Sequence, residues 1–267
     1  MKIMYEKEKK RLVYAGKSSS PDFWNSHWDL KDLRESIERE KNSRFILKIL
    51  RKYVPDKKGR ILEGGCGKGQ VVYCMHVHGY ESVGIDFAEK TVGRTKELFP
   101  YLDIRVGDVR DLQFPDDYFL GYWSLGVIEH FQEGHHDILK EMKRVLVNRG
   151  YLFLNFPYMS CLRKLKAKLG LYKQFTGGGV ESFYQYVLDG DTVIREFESN
   201  GFKLIGKKPY SGIKGFKDEV AVFRSLLQRL FDYKGKNLWV RGLRYIFDIV
   251  LAFFAGHMIL LVLRNMK

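Results

Sequence analysis

The run Ile61-Leu62-Glu63-Gly64-Gly65-Cys66-Gly67-Lys68-Gly69-Gln70 constrains the fold more than any other stretch. Gly65, Gly67 and Gly69 alternate directly after a short apolar segment and directly before Val71-Val72-Tyr73. The pattern predicts a buried strand over 60–64, a tight glycine turn and a helix over 69–78. Glycine is needed where the backbone takes positive φ, or where a ligand must approach without meeting a Cβ. The following helix start offers unpaired N–H groups and a positive dipole end, which suits a polar or anionic ligand group. Spacing removes two familiar signatures. A dinucleotide fingerprint needs Gly or Ala at the sixth position from Gly65, where Gln70 stands. A phosphate-binding P-loop needs Ser or Thr after Gly-Lys, and Lys68 is followed by Gly69.

Downstream, short apolar runs alternate with helical patterns. Strands are predicted over 82–86, 103–106, 119–125 and 151–156, with helices over 89–98 and 135–146. The run 151–156 is almost continuously apolar, as a central parallel strand should be. Asp86 closes its strand about twenty residues beyond the glycine turn, where a carboxylate accepts hydrogen bonds from a ribose diol. The alternative for Asp86 is a cap on the 89–98 helix. Ligands in open α/β sheets sit at the carboxyl ends of the strands, so Glu129 and His130, just past 119–125, face the same region.

Glu63-x-Gly65-x-Gly67-x-Gly69, the acid Asp86, the pair Asp108-Val109 and the run Ser124 to His130 recur in the order seen in one family. The chain resembles the class I S-adenosylmethionine-dependent methyltransferases, in their small-molecule, type 11-like form, over about residues 60–157 plus the final strand. The resemblance implies a Rossmann-like, seven-stranded, mostly parallel sheet with an antiparallel last strand and helices on both faces. It implies S-adenosyl-L-methionine as cofactor. The glycines Gly65 and Gly67 would lie under the methionine portion and Asp86 at the ribose, with Glu63, Cys66 and Phe87 also binding the cofactor. Asp108 would accept from the adenine amine, beside a backbone donor at Val109, and Leu125 would also bind the cofactor. His130 is the best candidate for a general base because its unperturbed pKa lies near neutrality. The alternative is a local hydrogen bond that only shapes its loop. Glu129 is read as structural or cofactor-touching. Some relatives carry a metal-binding carboxylate where Gly126 stands here, so no metal is expected. Asn148 and Arg149 depart from the family's Leu-Lys-Pro-Gly-Gly turn, while Gly150 keeps its last glycine.

With 267 residues and 45% hydrophobic content, the chain can bury a full core as one domain with insertions. A tail and lid helices are expected over 1–52 and the main domain over 53–267, with helical insertions at 158–185 and 209–255. Residues 1–20 are polar and charged and are expected to be mobile. Trp24 and Trp28 either line a lid or pack its helix onto the domain. The net charge of +14 favours acidic partners: anionic substrates, a lipid surface or nucleic acid. A nucleic-acid enzyme is disfavoured, because Ser124-Leu125-Gly126-Val127 replaces the Asn/Asp-Pro-Pro-aromatic run and no Pro-Cys nucleophile occurs. A non-catalytic cofactor-binding scaffold is the rival from another class, and intact Glu63, Asp86 and Asp108 argue against it. Cys66, Cys74 and Cys161 lack metal spacing and read as reduced thiols of a cytoplasmic protein.

The N-terminus has no apolar core of the kind a signal peptide needs. The apolar stretch 246–263 contains Asp248, Gly256 and His257, and reads as a helix end followed by a buried strand. Leu162, Leu165, Leu169 and Tyr172 are predicted on one helical face with lysines around them, before a hinge at Gly177-Gly178-Gly179. That face either meets an anionic membrane, suiting an amphipathic or lipid-linked acceptor, or closes the pocket while the lysines are solvated.

Overall fold

A computed structural model of the chain describes residues 1–17, 23–25, 31–177, 180, 182–233, 235 and 237–267. The N-terminal residues, expected to be mobile, form a hairpin of β1 (Lys2–Glu6) and β2 (Arg11–Ala15). Charged residues at 7–10 make the turn, with Lys10 at φ 51. The composition conceals the run Leu12-Val13-Tyr14-Ala15, all of it buried. An ion pair joins Arg11 to Glu6, and the Arg11 guanidinium stacks 3.4 Å over the Tyr186 ring.

The main sheet begins with β3 (Ile61–Gly64), β4 (Ser82–Asp86), β5 (Asp103–Val106), β6 (Phe119–Leu125) and β7 (Leu146–Pro157). These five strands are mutually parallel. β8 (Lys173–Gln174) and β9 (Phe183–Val187) flank the N-terminal hairpin in a separate four-stranded sheet, ordered β8-β1-β2-β9. β10 (Phe202–Tyr210) and β11 (Met258–Asn265) complete the main sheet, ordered β10-β11-β7-β6-β3-β4-β5. β11 is antiparallel to both of its neighbours. The seven-stranded, mostly parallel sheet is therefore as predicted, and the small second sheet is an addition.

The central strands are apolar on both sides because both faces are covered. On one face Trp123 stacks on Phe153 at 4.4 Å, under Ile46 and Leu50 of the helix Arg44–Tyr53. On the other, Phe156 and Leu154 meet Ile138 and Met142 of the helix His136–Val145. Each such side chain contributes on the order of 2 kcal/mol by leaving water. Leu33 and Ile37, from the helix Leu33–Arg39, pack with Val72, Val92 and Phe99.

The first insertion differs from its expected form. Its helix is short, Cys161–Lys168, and Tyr172 lies beyond it. Leu162 is buried, whereas Leu165 and Leu169 are exposed. The reason is a buried charge cluster. The Arg163 Nε donates to Glu219 Oε1 at 2.8 Å, while Lys166 Nζ and the Tyr172 hydroxyl donate to Glu219 Oε2 at 2.7 and 2.6 Å. The helix stops just before Gly170, which has φ 69, and Tyr172 beyond that turn reaches the same carboxylate. Lys164 is not simply solvated either, since it pairs with Asp189 at 2.7 Å. Of the predicted hinge, Gly178 and Gly179 lie outside the described residues. Glu219 ends the helix Gly212–Glu219, which runs against the helix Leu238–Ala255. A Cβ on Gly212 or Gly215 would strike the backbone of that second helix. The stretch 246–263 is a helix end followed by a buried strand, as expected. Among the described residues, no helix is long and apolar enough to cross a membrane.

Candidate functional site

β3 delivers the chain into its turn with Gly65 at φ 74, Gly67 at φ 51 and Gly69 at φ 75. A Cβ at Gly65 would collide with the Val127 side chain, and one at Gly69 with Ile104. Glycine is thus required for conformation and for space together. The turn is pinned to β4: Gly65 and Cys66 donate N–H bonds to the Ile85 carbonyl at 2.8 and 2.9 Å. The Asp86 carboxylate then accepts from Gly67 N–H at 2.7 Å through one oxygen and from Ala88 N–H at 2.8 Å through the other. Ala88 precedes the helix Glu89–Leu98, which has no side-chain cap bond, so Asp86 fixes the turn leading into that helix rather than capping it, and each oxygen keeps further acceptor capacity. Burial pushes its carboxyl above the ordinary range, against the pull of those two N–H groups.

The turn opens on a cavity of about 650 Å³ at the carboxyl ends of β3, β4 and β6. Glu63, Gly65, Cys66, Gly67, Asp86, Phe87, Asp108, Leu125 and His130 all line it. Val109 does not; its side chain is 2% exposed and lies in the core. Glu63 is buried, and its Oε2 has no hydrogen-bond partner. Burial, with Asp86 nearby, raises its carboxyl well above the usual value although a Val72 backbone N–H opposes the shift. Burial and the neighbouring carboxylates likewise raise the Cys66 thiol, which excludes it as a nucleophile near neutrality.

Sequence reasoning missed Arg110. Its guanidinium donates to both Asp108 oxygens, at 2.7 Å to Oδ2, and its backbone N–H reaches Oδ1 at 2.8 Å. A second arm reaches Glu133 at 3.0 Å, and the group sits 5.1 Å over the Phe131 ring. Burial alone would raise the Asp108 carboxyl, but the bonds from Arg110 outweigh it and hold it low. The signal was local, in Asp108-Val109-Arg110, where an arginine two residues on can fold back. The first insertion also supplies Val180, Ser182 and Phe183 to the wall, whereas residues 209–255 supply none among the described residues.

At the opposite end, Trp24 and Tyr184 meet the His130 ring edge-on at 5.0 and 5.2 Å. His130 Nδ1 lies 2.7 Å from the Tyr184 carbonyl oxygen. A carbonyl only accepts, so Nδ1 carries the proton and the neutral ring has its lone pair on Nε2. Trp28 lies outside the described residues. Glu129 is buried behind the cavity rather than lining it, and burial pushes its carboxyl up to about 8. Its Oε2 is unpartnered, as are Ser124 Oγ and Asn155 Oδ1 nearby on β6 and β7.

Residues 62–154 match a family model described as a methyltransferase domain. Over 97 residues the chain is 30% identical to a probable S-adenosylmethionine-dependent methyltransferase of Mycolicibacterium smegmatis, covering 36% of this chain and 37% of the relative. The chain thus spans little more than a third of that relative's length. Among solved structures, an S-adenosylmethionine-dependent methyltransferase from Archaeoglobus fulgidus superposes with a TM-score of 0.52 at 17% identity, over 83% of this chain and 94% of that one. The cyclase SpnF superposes at 0.56 with 16% identity, over 95% and 99%. Fold likeness therefore extends to a protein named for a different reaction, a [4+2] cyclisation, and chemistry has to be argued from the site.

Proposed function

We propose that this chain, whose residues 62–154 form a class I S-adenosylmethionine-dependent methyltransferase domain, moves the cofactor's methyl group to a small-molecule or lipid-linked acceptor, at oxygen. The observation that carries this reading is the cavity itself, where acid and glycine groups at one end face a histidine with a defined tautomer at the other. The residues fit the cofactor on physical grounds. Gly65 and Gly67 line the cavity with backbone and no side chain, and the unpartnered Glu63 oxygen supplies a buried acceptor suited to a cationic ligand. Glu63 and the turn 65–67 would hold the methionine end, Asp86 and Phe87 the ribose, and Asp108 with the Val109 backbone the adenine. Leu125 would close the site. Because Asp108 is already clamped by Arg110, it would present its remaining acceptor capacity in a fixed orientation.

When bound, S-adenosylmethionine supplies an electrophilic methyl carbon on a sulfonium. The protein's part is to align an acceptor oxygen about 3 Å from that carbon and to remove its proton. His130 Nε2 would take that proton, with the Tyr184 carbonyl holding the ring and favouring the imidazolium once formed. Trp24 and the first insertion would keep water out. The reading includes a cytoplasmic protein with reduced thiols.

Calorimetry with S-adenosylmethionine, S-adenosylhomocysteine and NAD tests the cofactor half of the reading; the two sulfur nucleosides should bind and NAD should not. Binding of NAD alone would overturn it. Incubation of the protein and a labelled methyl donor with fractionated metabolite and lipid extracts tests the acceptor half, by the solubility of the labelled product.

A further inference from the structure

The helix Leu238–Ala255 divides its residues sharply between protein and solvent. Ala252 and Ala255 are buried against the helix Gly212–Glu219, which Gly212 and Gly215 allow to approach backbone to backbone. The helix's charged groups are used inward or sit at its start. Asp248 Oδ1 accepts from the Ile213 N–H at 3.0 Å, and Arg244 Nη1 donates to the Tyr233 carbonyl at 2.9 Å. Arg241 stays exposed near the N-terminal end. The outward side holds Trp239 at 89% exposure, Ile246 at 59%, Val250 at 62% and Phe253 at 71%. Together with Leu243 these recur at helical spacing, forming a ridge about 20 Å long. Residues to either side of the ridge, Phe247, Ile249 and Phe254, are exposed and apolar as well.

We propose that this helix is a docking surface for an anionic phospholipid bilayer, lying in the membrane plane with its outward side among the acyl chains. Three observations select that occupant over a second copy of the chain. A helix meant for one partner helix shows a narrow apolar seam flanked by charges that set register. Here the flanks Phe247, Ile249 and Phe254 are apolar, so the exposed side is wider than a seam. The surrounding charge is mostly basic, with Asp232 the one exposed acid among the described residues of 221–255. Arg224, Arg229 and Arg241, with Lys168 and Lys173 on the adjoining insertion, are exposed and form no ion pair among the described residues, on a chain of net charge +14. Such a rim attracts anionic headgroups and repels its own copy. Finally, adjoining segments extend the apolar area without closing it: Val222 is 85% exposed, Leu226 66% and Leu169 62%.

The helix leads into β11 at Met258, which pairs with Pro157 at the carboxyl end of β7. The proposed membrane contact therefore begins on the same edge of the sheet as the cavity, although the surface does not depend on what the cavity does.

The test is sedimentation of the full chain with vesicles of phosphatidylcholine, with and without phosphatidylglycerol, at low and high salt. Binding to the anionic vesicles is expected, weakening as salt screens the rim. Ile246→Glu and, separately, Phe253→Glu should each lower partitioning at least about tenfold, with the melting temperature and S-adenosylhomocysteine affinity unchanged. Both side chains are exposed, so loss of folding is not expected. Protein that stays in the supernatant with both vesicles at low salt overturns the proposal, as do variants that partition like the parent. A solution dimer that Ile246→Glu dissociates, without vesicle binding, assigns the surface to a second copy and also overturns it. Cofactor binding measured alongside separates any of these failures from failure of the methyltransferase reading.

Discussion

Replacing Asp86 by alanine removes two functions of one carboxylate. The structural one is the pair of bonds from Gly67 and Ala88 N–H at 2.7 and 2.8 Å, which set the pitch of the glycine turn. The proposed binding one is a pair of bonds to the ribose diol. Hydrogen bonds to a charged group contribute about 1.5–3 kcal/mol each, less when the freed donors find water. Losing the ribose pair should therefore cost about 2–4 kcal/mol, or roughly 30- to 1000-fold in Kd. The stability loss should be smaller. Asp86 is held above its ordinary pKa by burial, so deleting it also relieves a desolvation cost that offsets part of the two lost backbone bonds. Calorimetry with S-adenosylhomocysteine reads the first quantity and a melting curve the second. Asp86→Asn, which keeps one acceptor oxygen, should fall between parent and alanine in affinity. A folded Asp86→Ala protein with parental affinity would put the ribose elsewhere and refute the assignment.

Three further outcomes follow from side chains in or behind the cavity. His130→Ala should lower turnover about 10²–10⁴-fold while cofactor affinity stays nearly intact; normal turnover would leave the ring only a structural bond to Tyr184. Glu129, with a folded pKa of about 8, keeps a proton that the unfolded chain releases at its ordinary carboxylate value. Its contribution to stability is full below that ordinary value and is lost as pH rises through about 8. The stability advantage of Glu129→Gln over the parent should therefore grow from about pH 5 to about pH 8, measured by chemical denaturation, and a pH-independent difference would contradict the assignment. Arg163→Met leaves Glu219 with Lys166 and Tyr172 but removes the arginine bonds to it and to the Tyr158 carbonyl, so a loss of about 3 kcal/mol is expected. A denaturation midpoint equal to the parent's would show the cluster to be dispensable.

The parallel sheet and most of the cavity were legible because they follow from local order. Strands in such a sheet end on one edge, so Glu63, Asp86, Asp108 and Leu125, each at or just past the end of its strand, must converge wherever the strand pattern is read correctly. Val109 carried a backbone role on a family resemblance, and its buried side chain is a reminder that such roles say nothing about side-chain placement. What stayed hidden depends on distant partners. Nothing near Leu12 announces Val187, and the charges on both sides of the hairpin dominate its composition. Tyr172 looked helical because its spacing to Leu165 and Leu169 is helical, yet a carboxylate far along the chain fixed it. The Tyr184 carbonyl that orients His130 was unreadable in principle, since every residue offers a carbonyl.

The small sheet also sets an order of assembly. Leu12 pairs with Val187, so the hairpin must wait for an edge translated on the order of ten seconds after it. By then the glycine turn and the strands that surround it have already emerged. Tyr184, whose carbonyl orients His130, belongs to that late edge. The cofactor end of the cavity can thus form on the nascent chain, while the histidine end takes shape only after the two remote segments meet. Synthesis that stalls between them would leave His130 without the Tyr184 carbonyl.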